Sequence, residues 1–453
     1  MTANYSVDWA STVPRRKCPV NQPVPASQTR TKDRAVASTV KTDTPKSLEI
    51  NPPQFGSSNM PWREQLIQQH RSRVTAKIWR ERQATQDAVG RELKVNGKTY
   101  LNFCSNDYLG LANHPALAAA ATDTIRERGT GAAASHLICG HQDIHQQLEN
   151  DLAAFVGAEK AIAFSTGYMA NLAVPQTFLE RGDLVLQDRL NHASLIDAGR
   201  FCEANLKRYR HLDFAHAQTI LLKSNANKKL LTTDGVFSMD GDQAPLPELT
   251  EICRQTETLL LIDDAHGFGV LGETGAGSLE QHGIDVGGGV LMLGTLGKAA
   301  GSFGAFIAGD AVYIDSLIQR ARSYIYTTAL PPSIAAATRA AIQIFQTEPE
   351  RREKLNANIH YFRQAVDDLP LKILDSKTAI QPILLGDSES ALQVTRLLQQ
   401  HGLWITAIRP PTVPEGTARI RITISCEHHR SDLDQLIAAL SSDAMRALTE
   451  TDQ

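Results

Sequence analysis

The stretch Val290-Leu-Met-Leu-Gly-Thr-Leu-Gly-Lys298-Ala-Ala-Gly-Ser-Phe-Gly304 decides how this chain can fold. It begins with a run of large apolar residues, typical of a strand buried in a parallel sheet, and ends in a glycine-rich turn with one lysine. Ligands of open α/β sheets bind outside the carboxyl ends of the strands, where a partly desolvated lysine becomes a usable amine nucleophile or base. Lys298 therefore predicts a reaction site, although a lone lysine after a strand is more often a solvated surface residue.

Length and composition are those of an ordinary globular protein. The chain has 453 residues, 42% hydrophobic and 21% charged, with a formal net charge of −3. This is enough for a main domain and a smaller one, and it gives no basic surface for nucleic acid. No apolar run reaches the roughly 18 residues of a membrane helix, and no secretory segment is evident near Met1. We expect a cytoplasmic enzyme that binds neither nucleic acid nor membranes.

The cysteines are scattered, without the close pairs of zinc sites or the density of a disulfide scaffold. We therefore expect free thiols in a reducing compartment and no metal site. The six residues are Cys18, Cys104, Cys139, Cys202, Cys253 and Cys426.

The N-terminal part divides into two segments. Residues 1–58 are rich in Pro, Ser, Thr, Gln and Asn, which predicts a disordered extension. Their mildly basic character leaves an organellar transit peptide open, and a start codon assigned upstream of Met60 also explains them. From Trp62 to about Arg82 apolar residues recur at helical spacing, and residues 93–104 indicate a hairpin around Asn96-Gly97. Residues 59–110 are thus an N-terminal helix and hairpin segment.

The rest of the chain predicts two domains. Strands at 161–165, 184–187, 230–233, 259–263, 290–294 and 304–308 alternate with helical patterns, which indicates a mostly parallel sheet covered on both faces in a large domain at residues 111–330. After Pro331-Pro332, helices at 333–345, 352–366, 390–401 and 431–447 accompany strands at 371–374, 379–385, 403–408 and 418–425. This pattern predicts a smaller α+β C-terminal domain at residues 331–453.

Two carboxylates and a histidine follow another buried strand, in Leu259-Leu-Leu-Ile-Asp263-Asp264-Ala-His266-Gly267. An aspartate at a strand's carboxyl end can pair with the protonated ring nitrogen of pyridoxal phosphate, the carbonyl cofactor that suits a reactive lysine, and His266 can reach the ring hydroxyl. The bland alternative is a helix N-cap followed by a surface histidine. The next residues match a dinucleotide-binding pattern of glycines, which we reject because no apolar helix begins there.

Three further strand ends offer polar groups to the same edge of the sheet. Gly167 and Tyr168 open a helix whose free amides suit a phosphate, and His192 follows the next strand. Ser238 lies in a glycine-rich turn before Asp263. Each has a purely structural alternative, a turn that binds no ligand or a histidine with a structural role. For those alternatives to hold, all of these residues would have to meet at one edge of the sheet by chance.

Together these motifs resemble the α-oxoamine synthases, pyridoxal-phosphate enzymes of aminotransferase fold type I. The resemblance covers residues about 60–447, and it implies an α/β fold with a mostly parallel, seven-stranded sheet. Ala407-Ile-Arg409-Pro-Pro-Thr412-Val-Pro414 favours the member that uses a pimeloyl donor. The motifs are Ser105-Asn-Asp-Tyr-Leu-Gly110, Ser165-Thr-Gly-Tyr168, Asn191-His-Ala-Ser194, Phe237-Ser-Met-Asp-Gly-Asp242, Asp263-Asp-Ala-His-Gly267 and Thr295-Leu-Gly-Lys298.

The resemblance implies a role for each site residue. Lys298 would hold the cofactor as a Schiff base, Asp263 would pair with its ring nitrogen, His266 would reach its hydroxyl and His192 would stack on its ring. The remaining cofactor contacts would come from Gly167, Tyr168, Ser238 and Thr295. Substrate contacts would come from Arg80, Asn106, Thr412, His192 and Arg421. Arg419 shares a strand face with Arg421, so either arginine can take the carboxylate of the amino acid.

The reaction implied by the resemblance is the decarboxylative condensation of L-alanine with pimeloyl-CoA or a pimeloyl-acyl carrier protein, by a homodimeric acyltransferase of biotin biosynthesis. One alternative is a glycine C-acetyltransferase (2-amino-3-oxobutyrate CoA ligase) or another family member with a different acyl donor. A second is a regulator that retains the fold and uses residues 1–58 as an interaction arm. The chain departs from the family in Gly131-Ala-Ala-Ala-Ser-His136, where glycines are usual, and in Asp234, where a glutamate is usual.

Overall fold

The computed structural model describes residues 61–449, so the predicted extension at 1–58 lies outside the described residues. Helix α1 spans Pro61–Thr75 and is shorter than the sequence predicts. Lys77 takes the left-handed conformation, with φ of 57°, and this conformation cannot continue a right-handed helix. Within residues 61–449, no helix combines the length and the apolar character needed to cross a bilayer.

A hairpin follows, as predicted. Strands β1 (Glu92–Val95) and β2 (Lys98–Asn102) pair antiparallel. Asn96 and Gly97 between them have φ of 50° and 77°, the left-handed values that a two-residue turn requires.

The central part alternates helices and strands, as the apolar runs predict. The helices are α2 (Pro115–Arg128), a π-helix (His136–Gly140), α3 (Asp143–Val156), α4 (Gly167–Phe178), α5 (Ala193–Phe201), α6 (Phe214–Leu222), α7 (Leu246–Gln255), α8 (Ser278–Gln281), α9 (Ala311–Arg320) and α10 (Arg322–Ile325). The strands are β3 (Lys160–Phe164), β4 (Leu184–Asp188), β5 (Asn205–Tyr209), β6 (Lys229–Asp234), β7 (Leu259–Asp263), β8 (Val290–Thr295) and β9 (Ala305–Gly309).

These strands form one seven-stranded sheet in the order β3-β9-β8-β7-β6-β4-β5. The run from β8 to β5 is parallel, and β9 is antiparallel to both of its neighbours. Successive residues of β7 pack into separate cores, Leu260 and Ile262 into one and Leu261 into the other. The predicted fold class, a fold-type-I α/β architecture with a mostly parallel sheet, is confirmed.

One strand of the sheet escaped prediction. β5 lies at the edge of the sheet, with Lys207 and Arg208 exposed and only Tyr209 buried, so it lacks the continuous apolar run of a central strand.

The C-terminal part contains α11 (Pro332–Thr347), α12 (Glu350–Val366), β10 (Ile380–Gly386), α13 (Ser388–Gln400), β11 (Leu403–Trp404), β12 (Ala407–Ile408), β13 (Ala418–Thr423), α14 (Arg430–Leu440) and α15 (Asp443–Thr449). Two three-stranded sheets include these strands, β10-β13-β12 and β1-β2-β11. The domain boundary near residue 331 stays a prediction.

Three local predictions in this part were wrong. Residues 371–374 form only one isolated bridge, Ile373 to Ile383. Residues 403–408 are two short strands that belong to different sheets. The helix at 431–447 is interrupted at residues 441–442, where Ser442 accepts a hydrogen bond from Met445 N at 3.2 Å and so caps the start of α15.

Candidate active site

The carboxyl ends of β6, β7 and β8 bring the predicted site residues to one edge of the large sheet. Asp234 pairs in register with Asp263, and Asp263 with Leu293. The chain after β8 turns back at once, because Gly301 N donates to Lys298 O at 2.8 Å. Gly301 has φ of 60°, and a Cβ there would overlap the backbone of Leu111. Glycine is therefore required for the turn that presents Lys298.

Lys298 is half-buried, with its Nζ 2.8 Å from Nε2 of His266. Burial lowers the pKa of this amine to about 8, against the opposing effect of Asp263, and Arg421 lowers it further. A neutral amine is therefore accessible near physiological pH, as a nucleophile or base requires.

His266 links Lys298 to a buried tyrosine. Its Nδ1 is 2.6 Å from the hydroxyl of Tyr108, which also donates to Asn106 Oδ1 at 3.3 Å. Burial lowers the pKa of His266 well below its usual value, and the Lys298 charge adds to this effect. His266 is therefore neutral, with one ring proton. The next residue, Gly267, lies against the Asp264 carboxylate, and a Cβ at position 267 would overlap that carboxylate.

Sequence reasoning did not single out Tyr108. The signal was its place in the Ser105–Gly110 motif, two residues after Asn106. Its hydroxyl stays protonated, because burial raises the pKa of Tyr108 to about 12.

Asp263 is buried and accepts two hydrogen bonds from neutral donors. Asn171 Nδ2 donates to Oδ2 at 2.7 Å, and Ala265 N donates to Oδ1 at 3.1 Å. Asn171 also donates to Ser194 Oγ at 2.8 Å. Asn171 and Ser194 are further residues that sequence reasoning left without a role, although Ser194 ends one quoted motif and Asn171 lies three residues after another. They orient the Asp263 carboxylate while leaving its charge uncompensated.

His192 begins helix α5 and has an exposed side chain. Its backbone N–H donates to Asp234 Oδ2 at 2.7 Å, and its Nδ1 is 2.7 Å from Ser194 Oγ. The pKa of His192 is lowered, chiefly by desolvation from the surrounding protein, with Asp263 opposing and Lys298 adding to the effect. A neutral imidazole is thus held at the mouth of the site by Asp234 and Ser194.

The predicted phosphate residues lie at the end of a strand or shortly after it. Gly167 and Tyr168 open α4 ahead of its first helical hydrogen bond, from Ala170 N to Thr166 O at 3.1 Å. The Tyr168 hydroxyl donates to Asp197, and the ring is 41% exposed, so it faces the open side. Thr295 is half-buried at the end of β8, with its hydroxyl donating to Gly304 O at 3.2 Å.

Strand β13 places two buried arginines with different partners. Arg419 forms an ion pair with Asp240 at 2.7 Å. Arg421 donates instead to three neutral acceptors, Ser238 O at 2.7 Å, Thr423 Oγ1 at 3.1 Å and Asn106 Oδ1 at 3.1 Å. The charge of Arg421 is thus satisfied only by neutral groups, whereas that of Arg419 is compensated by a carboxylate.

The predicted acyl-donor residues form a separate, exposed pair. Arg80 Nη2 donates to Thr412 Oγ1 at 2.7 Å. Arg409 donates to the carbonyls of Lys77 and Trp79, and the pKa of Arg409 is lowered by burial and by the charge of Arg80. Two guanidinium groups with neutral partners make this a place for an anion.

The Gly131–His136 departure has a visible conformational consequence. Ala133 adopts φ of 62°, a region that costs a residue with a Cβ about 1 kcal/mol relative to glycine. The alanines therefore keep a backbone path suited to glycine and add methyl groups along it.

The residues present fit pyridoxal phosphate. The Asp263 carboxylate, with its two neutral donors, can accept a protonated ring nitrogen. The first-turn amides of Gly167 and Tyr168 point out of the start of a twelve-residue helix, as phosphate oxygens require. The lowered pKa of Lys298 suits an amine that meets an aldehyde.

Comparison with known proteins agrees with this geometry. Residues 98–440 match the family aminotransferase class I and II. The chain is 50% identical over 384 residues to the 8-amino-7-oxononanoate synthase of Saccharophagus degradans, covering 84% of this chain and 97% of that one. It is 51% identical over 364 residues to the enzyme of the same name from Thioalkalivibrio sulfidiphilus, covering 80% and 93%.

Solved structures give the same family. A serine palmitoyltransferase from S. paucimobilis, solved with a bound pyridoxal-phosphate adduct, superposes with a TM-score of 0.81 at 27% identity, covering 86% of this chain and 99% of that one. The 8-amino-7-oxononanoate synthase of Francisella tularensis superposes with a TM-score of 0.67 at 31% identity, covering 78% and 99%. The chain therefore belongs to the aminotransferase class I and II family and, within it, to the 8-amino-7-oxononanoate synthases, pyridoxal-phosphate-dependent acyltransferases of biotin biosynthesis.

Proposed function

We propose that this chain condenses L-alanine with a pimeloyl thioester to give 8-amino-7-oxononanoate, carbon dioxide and a free thiol. The observation that carries the proposal is the Lys298 amine, 2.8 Å from His266 and with its pKa lowered to about 8, beside the buried Asp263. About half of the residues of the matched region are identical to synthases of this name.

When bound, pyridoxal phosphate supplies an aldehyde that takes up amines and a ring that withdraws electrons from the amino acid's Cα. Asp263 holds the proton on the ring nitrogen and so maintains that withdrawal. Lys298 Nζ would hold the cofactor through its aldehyde and, once the substrate amine has taken that place, would accept the proton from Cα and later return one. His266 and Tyr108 orient the Lys298 amine through their hydrogen-bond chain.

Arg421, rather than Arg419, is our candidate for the alanine carboxylate. The Arg419 guanidinium is already paired with Asp240, whereas Arg421 shares Asn106 with Tyr108 and so lies on the same hydrogen-bond chain as Lys298. A substrate carboxylate would supply the negative charge that Arg421 lacks, in a water-poor position where such a bond is strong.

The Arg80, Arg409 and Thr412 group supports a donor that has a polar or negative far end. Among residues 61–449, its two guanidinium groups donate to neutral oxygens, so the distal carboxylate of a pimeloyl chain, or a polar cap on it, has a partner there. A palmitoyl chain has no such group. The carrier, coenzyme A or acyl carrier protein, remains part of the proposal.

Backbone similarity and sequence identity point to different donors, and identity is the better guide here. The serine palmitoyltransferase superposes better than the Francisella synthase, with TM-scores of 0.81 and 0.67. A TM-score reports backbone path, which is shared across the family, whereas substrate choice depends on individual pocket side chains.

A substrate panel tests the proposal. Purified protein with cofactor is mixed with alanine, glycine or serine against pimeloyl-, acetyl-, succinyl- and palmitoyl-CoA, and thiol release is followed. We expect alanine with pimeloyl-CoA to be fastest by at least about tenfold, roughly 1.4 kcal/mol in transition-state binding. Glycine with acetyl-CoA in first place would contradict the donor and leave the role of Lys298 intact.

We also propose a cytoplasmic homodimer. Large apolar side chains are exposed at Ile138 and Tyr326, 79% and 71% respectively, and burying such residues against a second copy is favourable. Light scattering of the purified protein checks this, with a monomer at micromolar concentration as the contradicting result.

A further inference from the structure

His211, which no motif singled out, lies between two carboxylates in the turn from β5 to α6. Its Nδ1 is 2.9 Å from Asp188 Oδ1, and its Nε2 is 2.9 Å from Asp242 Oδ2. An ionised carboxylate can only accept hydrogen bonds, so both ring nitrogens must be protonated for both contacts to form. The geometry therefore describes an imidazolium that bridges two segments of the chain.

The first segment is the turn that presents His192. Asp188 is the last residue of β4, is fully buried, and accepts hydrogen bonds from Leu190 N at 2.8 Å and Leu212 N at 2.9 Å. His192 follows four residues later as the N-cap of α5. The position of Asp188 thus sets the start of the turn that ends at His192.

The second segment is the loop that presents Ser238. Phe237 N donates to Asp242 O at 2.9 Å, which closes this loop, and the Phe237 ring meets the His211 ring edge-on with centroids 4.5 Å apart. Ser238 O accepts from Arg421 Nε at 2.7 Å. Asp242 therefore fixes the loop that contains Ser238, and Ser238 in turn contacts the Arg421 guanidinium that is proposed to bind the substrate.

The charges around His211 favour the protonated ring. Asp188 and Asp242 face it directly, and together they raise its pKa to about 10 although burial opposes them. Tyr209 lies near Asp188 on the far side, and its own pKa is raised by burial and by that carboxylate. Arg210 is paired instead with Asp213 at 2.6 Å. The folded-state pKa is raised, so the bridge is complete below the ordinary histidine pKa and is lost only as pH rises through about 10.

We propose that His211 is a positioning residue of the active site, which holds the His192 turn through Asp188 and the Ser238 loop, and with it Arg421, through Asp242. The inference rests on the proposed function. The two contacts of His211 have separate consequences. Loss of the Asp242 contact affects substrate binding, and loss of the Asp188 contact affects turnover.

Two substitutions at His211 each remove one of these two contacts. The amide nitrogen of asparagine occupies the place of Nδ1, so His211→Asn keeps the Asp188 contact and loses the Asp242 contact. The amide nitrogen of glutamine occupies the place of Nε2, so His211→Gln does the reverse. We expect His211→Asn to raise KM for alanine about tenfold with kcat within about twofold, and His211→Gln to lower kcat about tenfold with KM within about twofold.

His216 provides a matched control. It is half-buried in the same segment, and its Nδ1 accepts only a backbone hydrogen bond, from Arg210 N at 3.0 Å. His216→Asn and His216→Gln should leave both constants unchanged. If the two His211 variants change kcat and KM alike, or change neither, the proposal is overturned. A residue that only stabilises the fold would give the same kinetic result in both variants.

Asp242→Ala covers the case in which a His211 variant does not fold. It removes the carboxylate that accepts from His211 Nε2 and leaves the Asp188 contact and the Phe237 N to Asp242 O hydrogen bond in place. It should reproduce the rise in KM for alanine, and an unchanged KM would overturn the proposal. Failure of the proposed function is distinguishable. If the parent protein does not turn over alanine with any thioester, alanine is titrated into the holoenzyme and the change in visible absorbance gives its affinity, which His211→Asn should weaken and His211→Gln should not.

Discussion

Asp183 immediately precedes strand β4 and Asp188 ends it, and the two carboxylates differ in their hydrogen-bond partners. Asp183, at the amino end, accepts hydrogen bonds from Glu180 N at 2.8 Å and Lys228 N at 3.1 Å. Asp188, at the carboxyl end, also accepts two backbone amides but has the His211 ring as a third partner. Both are buried. Burial of an aspartate is therefore not the feature that distinguishes the site edge of the sheet.

The distinguishing feature is that charged groups at the carboxyl edge act on one another. Burial raises the pKa of Asp234 well above its usual value, and the neighbouring Asp263 raises it further. Burial raises the pKa of Asp264 to about 6, again with Asp263 adding to it, while the pKa of Lys298 is lowered. Mutually perturbed groups of this kind are a property of sites that hold or move protons. At the amino edge, by contrast, the Asp183 carboxylate accepts backbone hydrogen bonds from neighbouring loops.

Removal of Lys298 is the largest predicted effect. Lys298→Ala should abolish turnover. It should also abolish the absorbance of the lysine-bound cofactor near the short-wavelength end of the visible range, because none of the other quoted site residues supplies an amine. Borohydride reduction followed by peptide mapping checks the assignment. A reducible adduct that persists on the same peptide region would show that another residue binds the cofactor.

Asp263→Asn comes next. The variant keeps one acceptor oxygen for Asn171 Nδ2 or Ala265 N and loses one hydrogen bond, a cost of about 1–2 kcal/mol, so we expect it to fold and to retain cofactor. Loss of the charge opposite the ring nitrogen should lower kcat by about 10²–10³, the range seen when one preorganised electrostatic group is removed. Near-normal kcat in saturated holoenzyme would refute the role.

Arg421 and Arg419 bring the comparison to a single strand. Arg421→Gln should raise KM for alanine about 30-fold, equivalent to a charged hydrogen-bonded contact of about 2 kcal/mol. Arg419→Gln should instead lower the melting temperature, because it leaves Asp240 without its ion pair. Steady-state kinetics and thermal unfolding of both proteins check this. The reverse pattern would make Arg419 the carboxylate residue.

The pH dependence of cofactor loading tests the Lys298 environment. Only the neutral amine attacks an aldehyde, so the loading rate of the apoprotein should rise about tenfold per pH unit and level off above a pKa of about 8. Stopped-flow absorbance from about pH 6 to about pH 9.5, a range on both sides of 8, measures the rate. A loading rate that still rises about tenfold per pH unit at the upper end of this range, as an amine with the ordinary lysine pKa would give, would contradict the desolvated amine.

The sequence predicts those parts of the fold that depend on local pattern. Central strands such as β4 and β8 are continuous apolar runs that end at polar turns, so both the strand and the site residue after it are readable. β5 is not readable, because an edge strand needs no apolar run. Residues 371–374 have an apolar pattern but form only the single bridge at Ile373.

Contacts between distant residues account for the site features that were missed. Tyr108 meets His266 across 158 positions of sequence, and His211 acquires its partners only when β4 and the Ser238 loop are brought together. Likewise, Arg419 and Arg421 are equivalent in the strand pattern, and only the location of Asp240 distinguishes them. Partners fixed by tertiary structure leave no periodic signal in the chain.

The smallest expected effect on activity is at the amino edge of the sheet. Asp183→Asn keeps one acceptor oxygen and turns an NH₂ group toward one of the two amides that the carboxylate now satisfies, Glu180 N or Lys228 N. One buried hydrogen bond is lost, so we expect the free energy of unfolding to fall by about 1–2 kcal/mol. The kinetic constants should stay within about twofold, because no charge at the carboxyl edge changes. Urea unfolding and steady-state kinetics on the same preparation measure both quantities. A loss of kcat comparable to that of Asp263→Asn, without loss of stability, would mean that the two edges of the sheet are not functionally distinct.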